Sequence, residues 1–420
     1  MKTLIKNIKQ IFGVSTNGNT NLKRGNDMSE VEIIENGWIL IENDVIADFG
    51  EMKNFTGIDD WNNTEIIDSN NGSVLPTWCD SHTHIVYAGN RAGEFVDRIN
   101  GLSYEEIAKN GGGILNSAEL LSKTSFNELY MQSSERLKKI ISLGTGAIEI
   151  KSGYGLNTND EIKMLQVIKE LDNNFPIKIK STFLGAHAVP KSMSQENYVK
   201  LIINEMIPEI AKQNLADYID VFCDKGFFSP EETEKILLCG KKYDLKPKIH
   251  ANELACSGGI QVGVKNNAIS VDHLQYTGFK EINILKKSNT MATLLPGTAY
   301  FLNLKYPPAR KMIDSGLSVA LASDYNPGSF PSGNMSFIFS LACTIMKMKP
   351  VEAFNALTIN GAFAMELHDE VGNISRGKKA NLILTKKIPN LEYIPYSVAE
   401  NFIDKVIING KIHQDSETNY

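Results

Sequence analysis

The chain contains the stretch Val74-Leu75-Pro76-Thr77-Trp78-Cys79-Asp80-Ser81-His82-Thr83-His84, an apolar run that ends in two histidines separated by one residue. Side chains alternate along an extended strand, so His82 and His84 would point to the same side. Neutral imidazoles are common metal ligands, and a pair on one face is already partly ordered for binding an ion. Two such histidines also occur together by chance on a wet surface. The pair therefore indicates a metal site only if the rest of the chain supplies partners.

Strand-like and helical runs alternate along the middle of the chain. Candidate strands lie near residues 74–79, 146–151, 178–185, 218–223, 247–250, 268–273, 291–295 and 317–323, and helical runs between them include residues 125–142, 160–171, 194–213 and 230–242. This alternation predicts a parallel sheet, and eight repeats of it predict an α/β fold with a (β/α)8 TIM-like barrel.

Side chains of the types that bind metals and activate water stand where the candidate strands end. They are His82 and His84 after the first run, His187 after the third, His250 after the fifth, His273 after the sixth and Asp324 after the eighth. Barrel enzymes carry their active sites at the carboxyl ends of the strands, so these groups would meet at one mouth. A histidine taken singly is more often a satisfied core residue, but six such groups at one mouth rarely arise by chance.

We assign a metal ion to His82, His84, His250 and Asp324, because three histidines and a carboxylate with an open position are typical of catalytic sites. Such an ion lowers the pKa of a bound water and so supplies hydroxide near neutral pH. Asp324 could both touch the metal and take a proton from that water.

Two further residues would lie beside this centre. His273 could orient the water or stabilise a developing oxyanion. Glu253, three residues after His250, could meet a ring N–H of a substrate. The competing interpretation of Glu253 is a solvated carboxylate in a loop.

The two ends of the chain differ in pattern from the middle. Short strand-like runs separated by turns that contain Asn or Asp fill residues 31–50, and similar runs lie at 380–384 and 406–412. They predict a small β-sandwich domain built from both termini. The expected organisation is residues 1–73 and 366–420 for the sandwich and residues 74–365 for the barrel.

Composition and charge narrow the range of partners. The 420 residues are 42% hydrophobic and 22% charged, and the formal net charge of -6 argues against nucleic acid and anionic membranes as partners. The five cysteines (79, 223, 239, 256 and 343) never stand in a CxxC spacing, which favours a reducing compartment. Neither a signal peptide nor an apolar run of about twenty residues is evident. We therefore expect a cytoplasmic protein.

A series of motifs runs in order from about residue 74 to 330. It comprises Asp80-Ser81-His82-Thr83-His84-Ile85-Val86-Tyr87-Ala88-Gly89-Asn90-Arg91 with Glu94-Phe95, Gly101-Leu102-Ser103-Tyr104, Gly111-Gly112-Gly113-Ile114, Lys151-Ser152-Gly153-Tyr154-Gly155, Phe183-Leu184-Gly185-Ala186-His187-Ala188, Asp272-His273-Leu274, Leu295-Pro296-Gly297 and Ala322-Ser323-Asp324-Tyr325-Asn326-Pro327-Gly328-Ser329. These motifs resemble the amidohydrolase superfamily and, within it, the family that opens the ring of 4-imidazolone-5-propanoate in histidine degradation. Residues 372–382 resemble the superfamily's closing β-sandwich motif, so the resemblance covers nearly the whole chain.

The resemblance implies hydrolysis of 4-imidazolone-5-propanoate to N-formimidoyl-L-glutamate, the third step of L-histidine degradation, with one bound zinc or iron. Hydroxide supplied at the metal would attack the ring carbonyl, and the C–N bond to the ring nitrogen would break. Asp324 would shuttle the proton, and Glu253 would bind the ring nitrogens. The family also implies a homodimer. Imidazole and carboxylate ligands suit both metals, so the sequence does not choose between them.

The propanoate of such a substrate needs a cation and hydroxyl donors. Arg91 could bind it through two N–H groups and Tyr154 through its phenol, with Tyr104 as a third contributor. His187 is expected to bond the substrate, and a loop would offer further groups from Asn326, Gly328 and Ser329. Without the surrounding motifs, Arg91 would be interpreted as a surface charge and Tyr154 as a packing aromatic.

Two residues depart from the resembled pattern, and two segments allow another interpretation. Asn252 and Asn381 stand where Asp is usual; Asn252 is not an expected ligand, and we interpret Asn381 as structural. Lys225 could in principle be a carboxylated bridge between two metals, although its surroundings favour a loop. Glycines 111–113 could form a mobile cover or merely a turn.

Two other functions stay open at this stage. A related amidohydrolase that deaminates a cyclic amidine or nucleobase would use the same metal ligands and Glu253. It would have no use for Arg91 and Tyr154, because a neutral base has no carboxylate. A non-catalytic scaffold on the same fold is the third possibility, but such proteins usually lose metal ligands, and all of them are present here.

Overall fold

A computed structural model describes residues 2–18, 21–102, 106, 112–398 and 400–415. In this part of the chain the strands form two sheets of eight. The first five strands are β1 (Lys2–Val14), β2 (Glu32–Glu42), β3 (Val45–Glu51), β4 (Thr64–Asp68) and β5 (Val74–Pro76). The middle eight are β6 (Trp78–Thr83), β7 (Thr145–Lys151), β8 (Lys178–Ala186), β9 (Tyr218–Cys223), β10 (Lys246–Ala251), β11 (Ser270–His273), β12 (Met291–Leu294) and β13 (Val319–Leu321). The last three are β14 (Leu382–Thr385), β15 (Ile403–Ile408) and β16 (Lys411–Asp415).

Strands β6 to β13 form the predicted barrel. Each pairs in parallel with the next along the chain, and their residues are almost all buried, which is why the sequence shows short apolar runs rather than alternation. The first strand meets the segment after the last through a parallel bridge between Thr83 and Tyr325. His84 N donates to Tyr325 O at 2.9 Å and Asp324 N donates to His82 O at 3.0 Å. The hydrogen bonds that close the barrel therefore involve three predicted metal ligands.

The second sheet is built from both ends of the chain, as predicted. Its strands follow the order β16-β15-β14-β5-β1-β2-β3, and β4 also pairs with β1. Its buried side chains include Ile5, Ile11, Ile39, Leu382 and Ile407, which pack together in a core of their own. Distant ends of the chain thus share one apolar core.

Helices occupy the connections between barrel strands. Within the described ranges the α-helices are Ala92–Ile99, Ile114–Lys123, Phe126–Ser142, Thr158–Asn174, Gln195–Leu201, Ile207–Lys212, Pro230–Lys241, Gly259–Lys265, Phe279–Lys286, Pro296–Leu302, Ala309–Asp314, Met335–Thr344, Pro350–Leu357, Ile359–Phe363 and Tyr393–Tyr396. A single π-helical segment, Ile202–Met206, joins two of them, and short 3-10 helices lie at Gly25–Ser29, Met52–Asn54 and Trp61–Asn63.

Helix starts are fixed by side-chain caps. Ser125 accepts from Glu128 N and Ser194 from Asn197 N, so each of these serines precedes its helix rather than beginning it. Ser229 and Glu232 form a capping box with Pro230 at the first position. Among the described helices, none combines the length and the apolar character needed to cross a membrane.

The predicted first barrel strand, residues 74–79, divides between the two sheets. Val74–Pro76 pairs with β1 and β14 in the terminal sheet, whereas the barrel begins at Trp78. Both segments are fully buried, so the sequence shows one continuous apolar run across the boundary. The domain boundaries at 73/74 and 365/366 stay predictions.

Candidate metal centre and substrate cavity

Three histidine rings converge at the carboxyl ends of the barrel strands. His82 is the next-to-last residue of β6, His84 follows that strand, and His250 lies on β10; all three are buried. Their Nε2 atoms are 3.3 Å apart for His82 and His84 and 3.4 Å apart for His84 and His250. Metal–nitrogen bonds of about 2.0–2.1 Å in a tetrahedral site place neighbouring ligand atoms ~3.3–3.4 Å apart. The three rings therefore fit one ion, and they form a group that could hold a metal.

Asp324 extends this group on the side of His82 and His84. Its Oδ1 lies 3.6 Å from His82 Nε2 and 3.5 Å from His84 Nε2. Its Oδ2 accepts from the Thr298 hydroxyl and from Ser329 Oγ, the latter at 3.2 Å. Burial raises the pKa of the Asp324 carboxyl, and the Thr298 hydrogen bond opposes that rise. One oxygen is thus directed at the histidines while the other is held in place.

The imidazole nitrogens on the far side of two ligand rings face carboxylates. His82 Nδ1 lies 2.6 Å from Asp272 Oδ2, and His250 Nδ1 lies 2.9 Å from Asp220 Oδ2. An acceptor at Nδ1 keeps the proton there and directs the Nε2 lone pair towards an ion. Burial lowers the pKa of His82 well below its usual value, so the ring is neutral, as a ligand must be.

His273 stands beside the histidine group with both ring nitrogens free of hydrogen-bond partners among the described residues. Its ring centroid is 5.5 Å from that of His82, and its Nδ1 is 3.6 Å from Glu253 Oε2. Its backbone has a φ of 83°, which is unusual for a residue with a side chain. Buried polar atoms without partners are rare, so the ring is placed to bond something in the cavity.

Glu253 is the second buried acid at this mouth. Burial, followed by the nearby Asp324 carboxylate, raises its pKa well above the usual value. The loop that carries it is fixed because Asp224 Oδ2 accepts from the backbone N of Glu253 and of Leu254, at 2.7 and 2.9 Å. A carboxyl with a raised pKa can hold a proton that it then donates to a leaving nitrogen.

A cavity of about 590 Å³ opens above these groups and is lined by His84, His273, Glu253 and Asp324. Its wall includes Arg91 as well. The Arg91 side chain is mostly buried, Nε donates to Ser117 Oγ at 2.9 Å, and Nη2 has no partner in the described part of the chain. A buried guanidinium N–H without a partner is costly, so this donor indicates an anionic group of a ligand.

Two aromatic rings line the cavity beside Arg91. Tyr154 is buried, and its ring centroid is 6.0 Å from Arg91 Cζ. His187 stacks on His84 at 5.3 Å with an interplanar angle of 12°. His187 Nδ1 lies 2.9 Å from the carbonyl oxygen of Gly153, so Nε2 is left for the cavity. Gly153 has a φ of 111°, and a Cβ there would stand 2.8 Å from His187 Nδ1, so a glycine is required.

The side-chain amide of Asn326 holds the loop that follows Asp324. Asn326 Oδ1 accepts from the backbone N of Gly328 at 2.8 Å and of Ser329 at 2.7 Å. Asn326 Nδ2 donates to Asp324 O at 2.8 Å. The loop therefore holds the Ser329 hydroxyl against the Asp324 carboxylate.

The segment that carries Arg91 is tied to the helix Phe126–Ser142. Arg136 donates to the carbonyl oxygens of Ile85 and Tyr87, at 2.9 and 2.8 Å, and its guanidinium lies 3.5 Å from the Tyr87 ring centroid. These contacts fix the chain between His84 and Arg91.

The structure brings most of the predicted site residues to one cavity. Those at its wall or in the histidine group are His82, His84, Arg91, Tyr154, His187, His250, Glu253, His273, Asp324, Asn326, Gly328 and Ser329. Tyr104 and Gly111 lie outside the described residues. Gly113 precedes the helix Ile114–Lys123, and its N donates to Glu94 Oε1 at 3.0 Å.

The residues set apart from the site are accounted for. Lys225, which a second metal would need, is exposed after β9. Asn252 has a φ of 56°, and its amide donates to Tyr276 O at 2.9 Å, so it supports a turn rather than an ion. Cys79 is fully buried, and burial raises its pKa to about 12, which excludes an easily formed thiolate.

Sequence reasoning did not predict the residues that hold the metal-ligand side chains in place. Asp220 and Asp272 face His250 and His82, and Thr298 holds Asp324. Asp272 and Lys151 stand inside quoted motifs and so carried a signal. Asp220, in the middle of an apolar strand, and Thr298, in a helix, carried none.

The barrel with a three-histidine group, a buried carboxylate and an adjoining cavity is the arrangement of an amidohydrolase. The model described as "Amidohydrolase family" matches residues 228–413. Among solved structures, guanine deaminase of E. coli has a TM-score of 0.72 at 14% identity, covering 99% of this chain and 100% of that one. A triazine hydrolase variant has a TM-score of 0.74 at 14% identity, covering 99% and 95%. At these identities the likeness concerns the fold alone.

Proteins of similar sequence identify the family within this class. An imidazolonepropionase of Christiangramia forsetii is 53% identical over 414 residues, which cover 98% of this chain and 100% of the relative. Imidazolonepropionases of Flavobacterium johnsoniae and Alkaliphilus metalliredigens are 54% and 40% identical, each over 98% of this chain and over 100% and 98% of the relatives. The chain belongs to the imidazolonepropionase family.

Proposed function

We propose that this chain hydrolyses 4-imidazolone-5-propanoate to N-formimidoyl-L-glutamate, a step of L-histidine degradation. Family membership supports the reaction. The substrate assignment rests on the buried Nη2 of Arg91, which has no partner among the described residues and lies in the same cavity as the histidine group. A substrate with a carboxylate on a short arm supplies the acceptor that this donor lacks, whereas a neutral nucleobase does not.

His82, His84, His250 and Asp324 would hold the ion, one divalent zinc or iron. The lowered pKa values of His82 and His84 and the converging Nε2 atoms support this assignment. When bound, the ion supplies Lewis-acid chemistry, because it lowers the pKa of water and polarises a carbonyl oxygen. The donor set of imidazole and carboxylate suits both metals, and we propose no choice between them.

The acids of the site divide the proton transfers. Asp324, held by Thr298 and Ser329, accepts a proton from the attacking water. Glu253, whose raised pKa favours a protonated carboxyl, binds the ring and donates its proton to the nitrogen when the C–N bond breaks. The proton that Asp324 took from the water then replaces the one that Glu253 donated, so both acids return to their starting forms. His273, with two free nitrogens, donates to the oxygen on which charge develops.

The remaining wall of the cavity binds and orients the substrate. Arg91 and the Tyr154 phenol bind the propanoate, with Tyr104 as a further donor. His187 presents Nε2 to the ring, and Asn326, Gly328 and Ser329 line the opposite side. Fixed donors of this kind restrict the substrate to one orientation over the acids, which lowers the entropic part of the barrier.

We also propose a cytoplasmic location and a homodimer. The five cysteines are all free thiols, which fits a reducing compartment. Light scattering coupled to size exclusion tests the second point, since a mass near twice 46.6 kDa is expected.

A coupled ultraviolet assay tests the function. Urocanase generates the substrate in the assay mixture, and the absorbance reports its disappearance. We expect the protein to turn over this substrate and a chelator to abolish the activity. Arg91→Ala should lower the activity mainly by raising KM. Arg376→Ala is the control, because that guanidinium pairs with Asp48 at the surface of the terminal sheet. Absence of turnover by metal-loaded protein would contradict the proposal, and deaminase substrates would then be assayed on the same preparation.

A further inference from the structure

Five ionisable groups lie packed beneath the metal centre, inside the barrel. They are Glu149 and Lys151 on β7, Asp220 on β9, Lys248 on β10 and Asp272 on β11, and each is at most 1% exposed. Charges buried to this degree cost free energy unless they are paired and hydrogen-bonded. None of the five lines the cavity above, so substrate binding does not account for them.

Lys151 lies at the centre of this buried cluster. Its Nζ is 2.9 Å from Asp220 Oδ2, 3.7 Å from Asp272 Oδ2 and 2.5 Å from Glu149 Oε1. The first two of these oxygens are the same atoms that face the histidine rings. Asp220 Oδ2 is 2.9 Å from His250 Nδ1, and Asp272 Oδ2 is 2.6 Å from His82 Nδ1. One ammonium group thus stands between the two oxygens that orient two ligand rings.

We propose that Lys151 is a positioning residue of the metal centre, which locks His82 and His250 together through Asp272 and Asp220. The inference rests on the proposed metal-binding role of those histidines. Because the rings come from strands on different sides of the barrel mouth, a shared cation fixes their relative orientation. A carboxylate that lost this cation would rotate away from its neighbour, and the ring that it holds would turn with it.

The charges of the cluster support the same assignment. In their ordinary ionised forms, its two lysines pair with three carboxylates, which leaves one negative charge beneath the histidine rings. A cation bound by those rings would offset that charge.

Lys248 offers a matched comparison within the same cluster. It is as buried as Lys151, but its ammonium binds Glu149 and the carbonyl oxygens of Ser81 and Ala364, the latter two at 3.2 Å. It is within ion-pair distance of neither carboxylate that holds a ring, although its charge acts on Asp272 from farther away. Loss of a buried cation near Asp272 is therefore common to both lysines, whereas loss of a direct contact with both carboxylates is expected for Lys151 alone.

The experiment measures cobalt binding by wild type, Lys151→Met and Lys248→Met after removal of metal with a chelator. Methionine keeps the length of the side chain and removes the charge. We expect Lys151→Met to bind Co²⁺ about 10–100-fold more weakly, as for other losses behind metal ligands, and to show a changed visible spectrum. Lys248→Met is expected to lose thermal stability while its cobalt affinity stays within about threefold of wild type and its spectrum is unchanged.

Three outcomes separate the possibilities. Cobalt binding by Lys151→Met with wild-type affinity and spectrum would overturn the inference, and so would an equal loss in Lys248→Met. If Lys151→Met does not fold, Lys151→Gln carries the same test, because it removes the shared positive charge while its polar amide is better tolerated among buried carboxylates. Wild-type protein that binds no cobalt would contradict the proposed metal centre itself and not only the role of Lys151.

Discussion

Gly328 lies directly against the guanidinium of Arg91, so that a Cβ at Gly328 would stand 2.0 Å from Arg91 Nη1 and 3.0 Å from Cζ. Gly328→Ala must therefore push the guanidinium out of its position in the cavity wall. We expect KM for the imidazolone substrate to rise about tenfold with kcat little changed, as for loss of a charged hydrogen bond. Steady-state kinetics of the variant measure both constants.

Gly93→Ala is the control for that substitution. A Cβ at Gly93 meets nothing within 4 Å, and the residue lies in the helix Ala92–Ile99. Unchanged kinetics and slightly higher stability are expected, since alanine favours helix by up to ~1 kcal/mol. Equal rises in KM for both variants would mean that Arg91 does not bind the propanoate.

Removal of the metal should lower thermal stability as well as abolish activity. The buried carboxylates then lose the cation that balances them, and a ligand at a thousandfold excess over its Kd contributes about 4 kcal/mol. We expect the unfolding temperature to fall by roughly 5 °C or more in differential scanning fluorimetry. Addition of zinc or iron(II) in separate samples should restore it, and the ion that also restores turnover identifies the native metal. An unchanged unfolding temperature would argue against an ion at the histidine group.

His273→Asn should separate catalysis from stability. Asparagine tolerates the positive φ of this position better than histidine, so the unfolding temperature should stay the same or rise. We expect kcat to fall about 10²–10³-fold because a donor to the developing oxyanion is lost. His413→Asn, in the exposed last strand, is the comparison and should behave as wild type. Retained kcat in the first variant would remove His273 from the catalytic set.

Lys378 should make stability depend on pH in the alkaline range. Burial lowers its pKa to about 8, although its ammonium donates to the carbonyl oxygens of His368 and Val371. Between that value and the unfolded pKa of about 10.4, the unfolded chain binds more protons, so stability rises with pH. The expected gain across this range is ~1–2 kcal/mol. Urea unfolding at pH 8 and pH 10 measures it.

Two lysine variants check the origin of that rise. Lys378→Met should lose the difference between pH 8 and pH 10. Lys379→Met should keep it, because the neighbouring ammonium pairs with Asp44 near the surface. The same slope in all three proteins would assign the effect to other groups.

Much of the architecture could be predicted because the chain shows two clear patterns. Buried strands appear as short apolar runs and end in polar groups, which placed His82, His250 and Asp324 at one mouth. The split of residues 74–79 could not be predicted, because burial on all sides leaves no polar residue to mark the passage from one sheet to the other. Pro76 ends β5, yet a proline at a strand edge is compatible with either arrangement.

The residues that hold the metal ligands in place were harder to predict from the sequence. Asp220 and Lys151 are charged residues within strands, a pattern that is also typical of a solvent-facing side. Only the closed barrel shows that they point inward and meet. Pairing between side chains from β7 and β9 depends on register across β8, and a single sequence carries little information about register.

The backbone hydrogen bonds between His84 and Tyr325 and between Asp324 and His82 have a consequence for biogenesis. More than 240 residues separate these partners, so a ribosome must release the eighth strand before the four ligands can meet. A nascent chain that lacks this strand already contains the three ligand histidines but not Asp324, so the pocket is incomplete. The complete metal site therefore forms only when the barrel closes. Metal bound by all four ligands would stabilise a chain in which the first strand has already met the segment after the last.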